Sequence, residues 1–234
     1  MKRLTARRPR SRIIFVTGTD TGAGKTLLTG LLLHHLRRSG CRALAMKPFC
    51  SGGSADVRFL RALQAGELSD REINPFYFPE PVAPLISARK HRRNVKLNDV
   101  LGHVRRLAGR CECLLVEGSG GLLVPLGEGF TVASLIKKLD CEVIVAARNQ
   151  LGVVNHAMLT ISELRRLCKP KVKVVLMGQK RRDLSVRSNQ MILRELLRAV
   201  KVFSVGFLGK NVVRAEVVSS RSKKIKKILA RILE

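Results

Sequence analysis

Short apolar runs rich in β-branched residues alternate along the chain with longer stretches whose apolar positions recur at helical spacing. The runs Arg12–Thr17, Ala43–Met46, Cys113–Val116, Glu142–Ala146, Val172–Leu176 and Val202–Val205 predict six strands. Between them, Lys25–Arg38, Asp56–Ala65, Leu97–Ala108, Val132–Leu139, Val154–Leu167 and Asn189–Val200 predict helices. Such alternation predicts an α/β chain with a mostly parallel central sheet. Strands that are apolar throughout, rather than at every second position, predict helices on both faces. Ligands of sheets of this kind bind beyond the carboxyl ends of the strands.

Two segments depart from this rhythm. Asn74–Pro84 (NPFYFPEPVAP) holds four prolines among aromatic residues, which predicts an extended loop packed by its rings. A loop of that length points to function. At the other end, residues 221–234 place Ile225, Ile228, Leu229 and Ile232 on one face of a basic amphipathic helix. Core packing or dimer docking is favoured for that face over membrane-surface binding. With 234 residues and no repeat or low-complexity tract, the whole chain, 1–234, is expected to form a single domain. Within it, residues 1–11 would form a basic amino-terminal arm.

Composition narrows the setting. No run approaches the apolar length of a membrane-spanning helix, and the amino terminus lacks the apolar stretch of a secretory signal, so a cytoplasmic protein is expected. Six cysteines without a CxxC pair read as reduced thiols. The 45 Lys and Arg against 17 Asp and Glu give a net charge of +28, a field able to attract nucleic acid or anionic lipid. Eight Phe, one Tyr and no Trp leave no base-stacking surface, so a solvated basic surface is favoured and nucleic acid is not expected as a partner.

The chemistry-bearing residues cluster after the predicted strands. Strand Ile13–Val16 runs into Thr17-Gly18-Thr19-Asp20-Thr21-Gly22-Ala23-Gly24-Lys25-Thr26 and then into an apolar helix. That arrangement is a phosphate-binding loop: glycines let backbone N–H groups converge on phosphate oxygens, Lys25 supplies a point charge, and the Thr26 hydroxyl ligates Mg²⁺. Its glycines are spaced Gly18-x₅-Gly24-Lys25-Thr26, one residue wider than the common form. The fold class expected is therefore P-loop NTPase-like α/β. Lys47, in Lys47-Pro48-Phe49-Cys50-Ser51-Gly52-Gly53, follows the second strand and so lies at the same sheet edge. Glu117 closes a buried strand in Val116-Glu117-Gly118-Ser119-Gly120-Gly121, where a carboxylate is costly to bury without a cation. A metal-ligand role for Glu117 is favoured over a structural hydrogen bond. Asp56 reads either as a second acid facing the metal or as a helix N-cap.

Together GTDTGAGKT, KPFCSGG, NPFYFPEPVAP, VEGSGGLLVPL and LGVVNHAMLT resemble, in order from about Ile13 to Leu167, the dethiobiotin synthase family of ATP-dependent carboxylases in biotin biosynthesis. The resemblance implies that CO₂ adds to 7,8-diaminononanoate as a carbamate, which takes the γ-phosphoryl of ATP. The second amine then closes the ring and releases phosphate. It implies catalytic roles for Lys25 and Lys47, and Mg²⁺ held by Thr26, Asp56 and Glu117. Nucleotide would meet Gly22, Ala23, Gly24, Lys25, Thr26, Leu27, Asp56, Glu117, Gly118 and Gln179. Substrate would meet Thr21 and Ser51, with Gly152, Val153 and Asn155 receiving its carboxylate across a homodimer interface. Departures from the family pattern are Gly22, where several members carry an acid, Gln179, where an asparagine commonly reads adenine, and a shorter loop between Lys47 and Asp56.

Two other classes remain for comparison. A partition or positioning ATPase on a similar fold would use the basic surface or the carboxyl-terminal helix to hold DNA or membrane. Such ATPases usually carry an extra lysine early in the phosphate loop, and Thr17-Gly18-Thr19-Asp20-Thr21 has none. An amidotransferase-related ligase would need a glutaminase domain for which no residues remain.

Overall fold

The computed structural model describes residues 11–168, 170–181, 183–209 and 213–234. Most of the predicted basic arm thus lies outside the described residues. The first strand, β1 (Arg12–Gly18), leads to helix α1 (Lys25–Arg38), then β2 (Ala43–Met46), β3 (Phe49–Ser51), α2 (Ala55–Leu63), α3 (Asp70–Ile73) and β4 (Phe76–Phe78). Next come α4 (Pro84–Lys90), α5 (Leu97–Ala108), β5 (Cys113–Gly121), β6 (Pro125–Gly127), β7 (Phe130–Thr131), α6 (Val132–Leu139) and β8 (Glu142–Asn149). The remainder is α7 (Val153–Leu167), β9 (Val172–Gly178), a 3₁₀ turn at Leu184–Arg187, α8 (Asn189–Leu197), β10 (Lys201–Val205), α9 (Ala215–Lys224) and α10 (Lys226–Leu233).

Six strands pair in parallel in the order β10-β9-β8-β1-β5-β2, with helices on both faces. All six predicted strands take part. Because both faces are covered, Ile14, Phe15 and Val16 of β1 and Leu114, Leu115 and Val116 of β5 are all buried, although they are consecutive. The chain passes from β1 outward to β2 and β5 on one side, then to β8, β9 and β10 on the other. β1 is therefore the switch point, where neighbouring connections diverge and leave a crevice at the carboxyl edge.

The proline-rich segment is extended, as its prolines require, and its aromatic residues form β4, which pairs in parallel with β3. Phe76 stacks on Phe49 at 5.0 Å between ring centroids. Its last proline does not stay in the loop: Pro84 opens α4, a position where the missing N–H costs nothing. The carboxyl-terminal stretch also differs from expectation, since it forms two helices broken at Ile225 rather than one. Leu229 and Ile232 are fully buried against the core, so this face packs inward. No helix among the described residues is long and apolar enough to cross a membrane.

Candidate active site

β1 hands the chain to α1 through a loop that needs two left-handed residues. Gly22 (φ +70°) and Gly24 (φ +91°) supply them at no side-chain cost, and Gly24 is the N-cap of α1. Gly22 meets a second demand. A Cβ there would lie 2.2 Å from Arg148 Nη2, because that guanidinium folds over the loop. Arg148 donates from Nε to Gly22 O (3.0 Å) and from Nη2 to Thr21 O (2.9 Å). The glycine that departs from the acidic family pattern is thus the one that lets an arginine near the end of β8 clamp the phosphate loop.

Lys25 and Thr26 begin α1 and point into the crevice. The Lys25 ammonium donates to Asp20 O (2.9 Å) and Gly120 O (2.8 Å), bridging the phosphate loop and the end of β5. Thr26 Oγ1 donates to Glu117 Oε1 at 2.7 Å. Glu117 itself is fully buried on β5, beside β1 in register with Val16. Lys47 leaves the end of β2 and is held there by its backbone, Lys47 N donating to Ile73 O, while Asn74 Nδ2 donates to Lys47 O at 2.8 Å. Its ammonium reaches both acids, donating to Glu117 Oε1 (2.8 Å) and to Asp56 Oδ2.

Asp56 lies in the first turn of α2, whose N-cap is Ser54, so its role is this ion pair and not capping. Two carboxylates share one lysine, and Glu117 Oε2 is buried with no hydrogen-bond partner. A buried carboxylate oxygen left in that state is costly unless a further cation or donor joins it.

The two lysines are tuned in opposite directions. Burial lowers Lys25 to about 8, only partly offset by Glu117, with Lys47 pushing the same way as burial. Burial also acts on Lys47, but Glu117 and Asp56 outweigh it and hold that ammonium above the usual lysine value. Lys47 is a fixed positive charge, whereas Lys25 needs an anionic partner to hold its proton as firmly.

These groups line a cavity of about 820 Å³. Of the residues singled out in the sequence, Thr21, Gly22, Gly24, Lys25, Thr26, Leu27, Lys47, Ser51, Asp56, Glu117 and Gln179 reach it. Ala23 and Gly118 lie behind it, buried in the loop and strand. Gly152, Val153 and Asn155 begin α7 and do not line it. The Gln179 amide lines the wall but spends a donor on its own backbone, at Met177 O (2.9 Å).

Sequence reasoning missed three contributors: Arg148, Asn74 as the brace under Lys47, and the segment Gly206–Gly209 after β10, whose Phe207 faces the cavity. The glycines flanking Phe207 and Leu208 were the available signal for the last.

The fold and this loop define a P-loop nucleotide-binding protein whose triphosphate crevice carries a second lysine and two acids. A family model described as an AAA domain matches residues 12–210. The ATP-dependent dethiobiotin synthetase BioD of Bacillus licheniformis is 39% identical over 169 residues, 70% of this chain and 72% of the relative. Its namesake in Bacillus subtilis strain 168 is 36% identical over 172 residues, 71% and 74%. The chain belongs to the ATP-dependent dethiobiotin synthetase family and is an ATP-dependent ligase.

Solved structures show the fold alone. The MinC:MinD cell division complex of Aquifex aeolicus matches with a TM-score of 0.56 at 13% identity, covering 93% of this chain and 96% of that one. The pNOB8 ParA structure matches with a TM-score of 0.59 at 12% identity, covering 94% and 98%.

Proposed function

We propose that the chain carboxylates 7,8-diaminononanoate with CO₂ and closes the ureido ring of dethiobiotin at the expense of ATP, with Mg²⁺. One observation carries this reading beyond generic triphosphate binding: Lys47 meets Glu117 at 2.8 Å while Glu117 meets Thr26 at 2.7 Å, so ends of β2 and β5 converge on the start of α1. One amine of the substrate adds to CO₂ and loses a proton, giving a carbamate. A carbamate oxygen takes the γ-phosphoryl with departure of ADP, and the second amine attacks the anhydride carbonyl, releasing phosphate. Each step develops or moves negative charge on oxygen, which fixed ammonium groups stabilise without covalent participation. Lys25, at the helix start, suits the outer phosphates, and Lys47, at the end of β2 beside the same acids, suits the carbamate.

The donor set fits a hard cation. Thr26 Oγ1, Asp56 and Glu117 are all oxygen donors, and the buried Glu117 Oε2 has no hydrogen-bond partner. No cluster of three or more His, Cys, Asp or Glu residues able to hold a metal occurs among the described residues. Two carboxylates and a hydroxyl agree with Mg²⁺, which keeps waters and shares its shell with substrate phosphates. When bound, the ion would neutralise charge on the transferring phosphoryl group.

The single domain works in this reading as a cytoplasmic homodimer. The start of α7 lies outside the cavity, and its neighbours Leu151 and Leu159 are 79% and 62% exposed, which supports burial of this apolar surface against a second copy. Gly152, Val153 and Asn155, at the positive end of α7, would then receive the substrate carboxylate. Incubating purified protein with ATP, Mg²⁺, bicarbonate-derived CO₂ and the diamine should yield dethiobiotin by mass spectrometry. No product at saturating concentrations of all four overturns the reading.

A further inference from the structure

A second cavity, of about 240 Å³, lies where the end of α1 meets the junction of α9 and α10. Its walls bring together His34, His35 and Arg38 from α1, Ser222 and Lys223 from α9, and Lys226 from α10, with no Asp or Glu among them. Arg38, Lys223 and Lys226 make no ion pair with any described residue. The contrast with the adjacent Arg37 is direct, since that side chain turns the other way and pairs with Glu67 at 2.9 Å.

The carbonyls that end α1 would normally repel an anion. Here they are engaged: Ser39 N and Oγ donate to His35 O, Cys41 N to Leu36 O, and Gly40 N to Arg37 O. The opposite wall is the start of α10, the positive end of that helix, which carries no side-chain cap. The buried Ser222 hydroxyl pairs with His34 Nδ1 at 2.9 Å and fixes the ring at the cavity wall.

We propose that this cleft is a binding site for a tetrahedral oxyanion, a phosphate group or sulfate, distinct from the triphosphate crevice at the other end of α1. Three exposed cations that line one concave site repel one another, and an oxyanion reverses that repulsion. The cavity has room for such an ion with several waters. The imidazoles add a pH dependence. Burial, then Arg38, His35 and Lys223, hold His34 below its usual value, and burial with Lys226 does the same for His35. A bound anion opposes these neighbouring cations, so binding draws protons onto the rings and tightens as pH falls.

The proposal is independent of the ligase reaction, and its test does not read activity. The full chain, labelled at its histidine rings and saturated with Mg·ADP to fill the phosphate loop, is titrated with sodium sulfate at pH 6 and pH 8. Sulfate keeps its charge across this range. His34 and His35 resonances should shift saturably, and more tightly at pH 6, while those of His91, His103 and His156 stay in place. Replacing Lys223→Gln and Lys226→Gln should weaken binding by about fivefold per charge, the worth of a unit-charge contact at about 4 Å in water. Linear shifts shared by all five histidines, or equal affinity in the folded double variant, overturn the proposal. Tighter binding of glycerol 3-phosphate than sulfate assigns an esterified ligand, and equal binding assigns a free ion.

Discussion

Both edges of the central sheet hold a lysine in an ionic cluster, and the two clusters are built to different ends. At the amino edge, Arg12 pairs with Glu142 through two bonds of 2.7 and 2.8 Å, and Lys173 lies 3.8 Å from the same carboxylate. Arg12 and Lys173 also donate to the carbonyls of Leu233 and Ile232, so the cluster fastens α10 beneath the sheet. Every carboxylate oxygen there has a partner. At the carboxyl edge, Lys47 is shared by Asp56 and Glu117, and one buried oxygen of Glu117 has none. Burial of charge is common to both regions. What separates a fastening from a site is the unmet demand for a further cation, together with a cavity through which one can arrive.

The sharpest way to break this comparison is to delete each cluster's centre. Lys47→Ala should lower turnover about 100- to 1,000-fold, as loss of a donor to developing negative charge does elsewhere. It should also destabilise the fold by about 3–5 kcal/mol, because Glu117 stays buried without its cation. Lys47→Arg, which keeps the charge, separates the two effects: folding should recover while turnover stays low. A near-normal rate in Lys47→Ala removes Lys47 from the chemistry.

The matching change at the amino edge is Glu142→Gln, which should leave kcat and KM unaltered. The Arg12–Glu142 pair is partly exposed, so its loss should cost about 1 kcal/mol, about 2–4 °C in Tm for a chain of this size. A large loss of activity with an unchanged melting curve would reverse the roles assigned to the two edges.

A smaller effect is expected at the lip of the site. Arg148→Ala frees the carbonyls of Thr21 and Gly22, loosening the phosphate loop without touching the reacting groups. KM for ATP should rise about fivefold with kcat nearly constant, the worth of about 1 kcal/mol from hydrogen bonds by an exposed side chain. If kcat falls and KM holds, Arg148 acts on the reaction and not through the loop.

The two edges were unequally legible in the sequence. The phosphate loop could be read because strand, glycines, Lys25, Thr26 and helix are contiguous, so local rules place them. Lys47 and Glu117 are 70 residues apart, and what brought them together was the inference that successive strands end at one sheet edge. Arg12 and Lys173 could not be read this way, since their partners include main-chain carbonyls of α10 that no side-chain pattern announces. Arg148 and Asn74 were hidden for the same reason: both act on backbone oxygens. The break at Ile225 was hidden too, because neither glycine nor proline marks it and the apolar stripe continues across it.

The smallest predicted effect also sharpens the comparison, because it moves with pH through groups that belong to neither ionic cluster. His34, His35 and His103 are each held below the usual histidine value, with burial the largest cause in every case. The unfolded chain therefore binds more protons than the folded one as pH falls through about 6.5, and stability is lost in that direction. Burial pushes Glu142 up, but Arg12 and Lys173 outweigh it and hold the carboxyl below its usual value, so its contribution is full above about 4.5 and is lost only as pH falls below that. Between pH 7.5 and 5.5 the fastening at the amino edge should stay intact while the denaturation midpoint drops. His34→Gln with His35→Gln should flatten that slope, and Glu142→Gln should lower the midpoint at both pH values without changing it. Parallel slopes in the wild-type and histidine variants would mean that these partly buried imidazoles do not set the acid response.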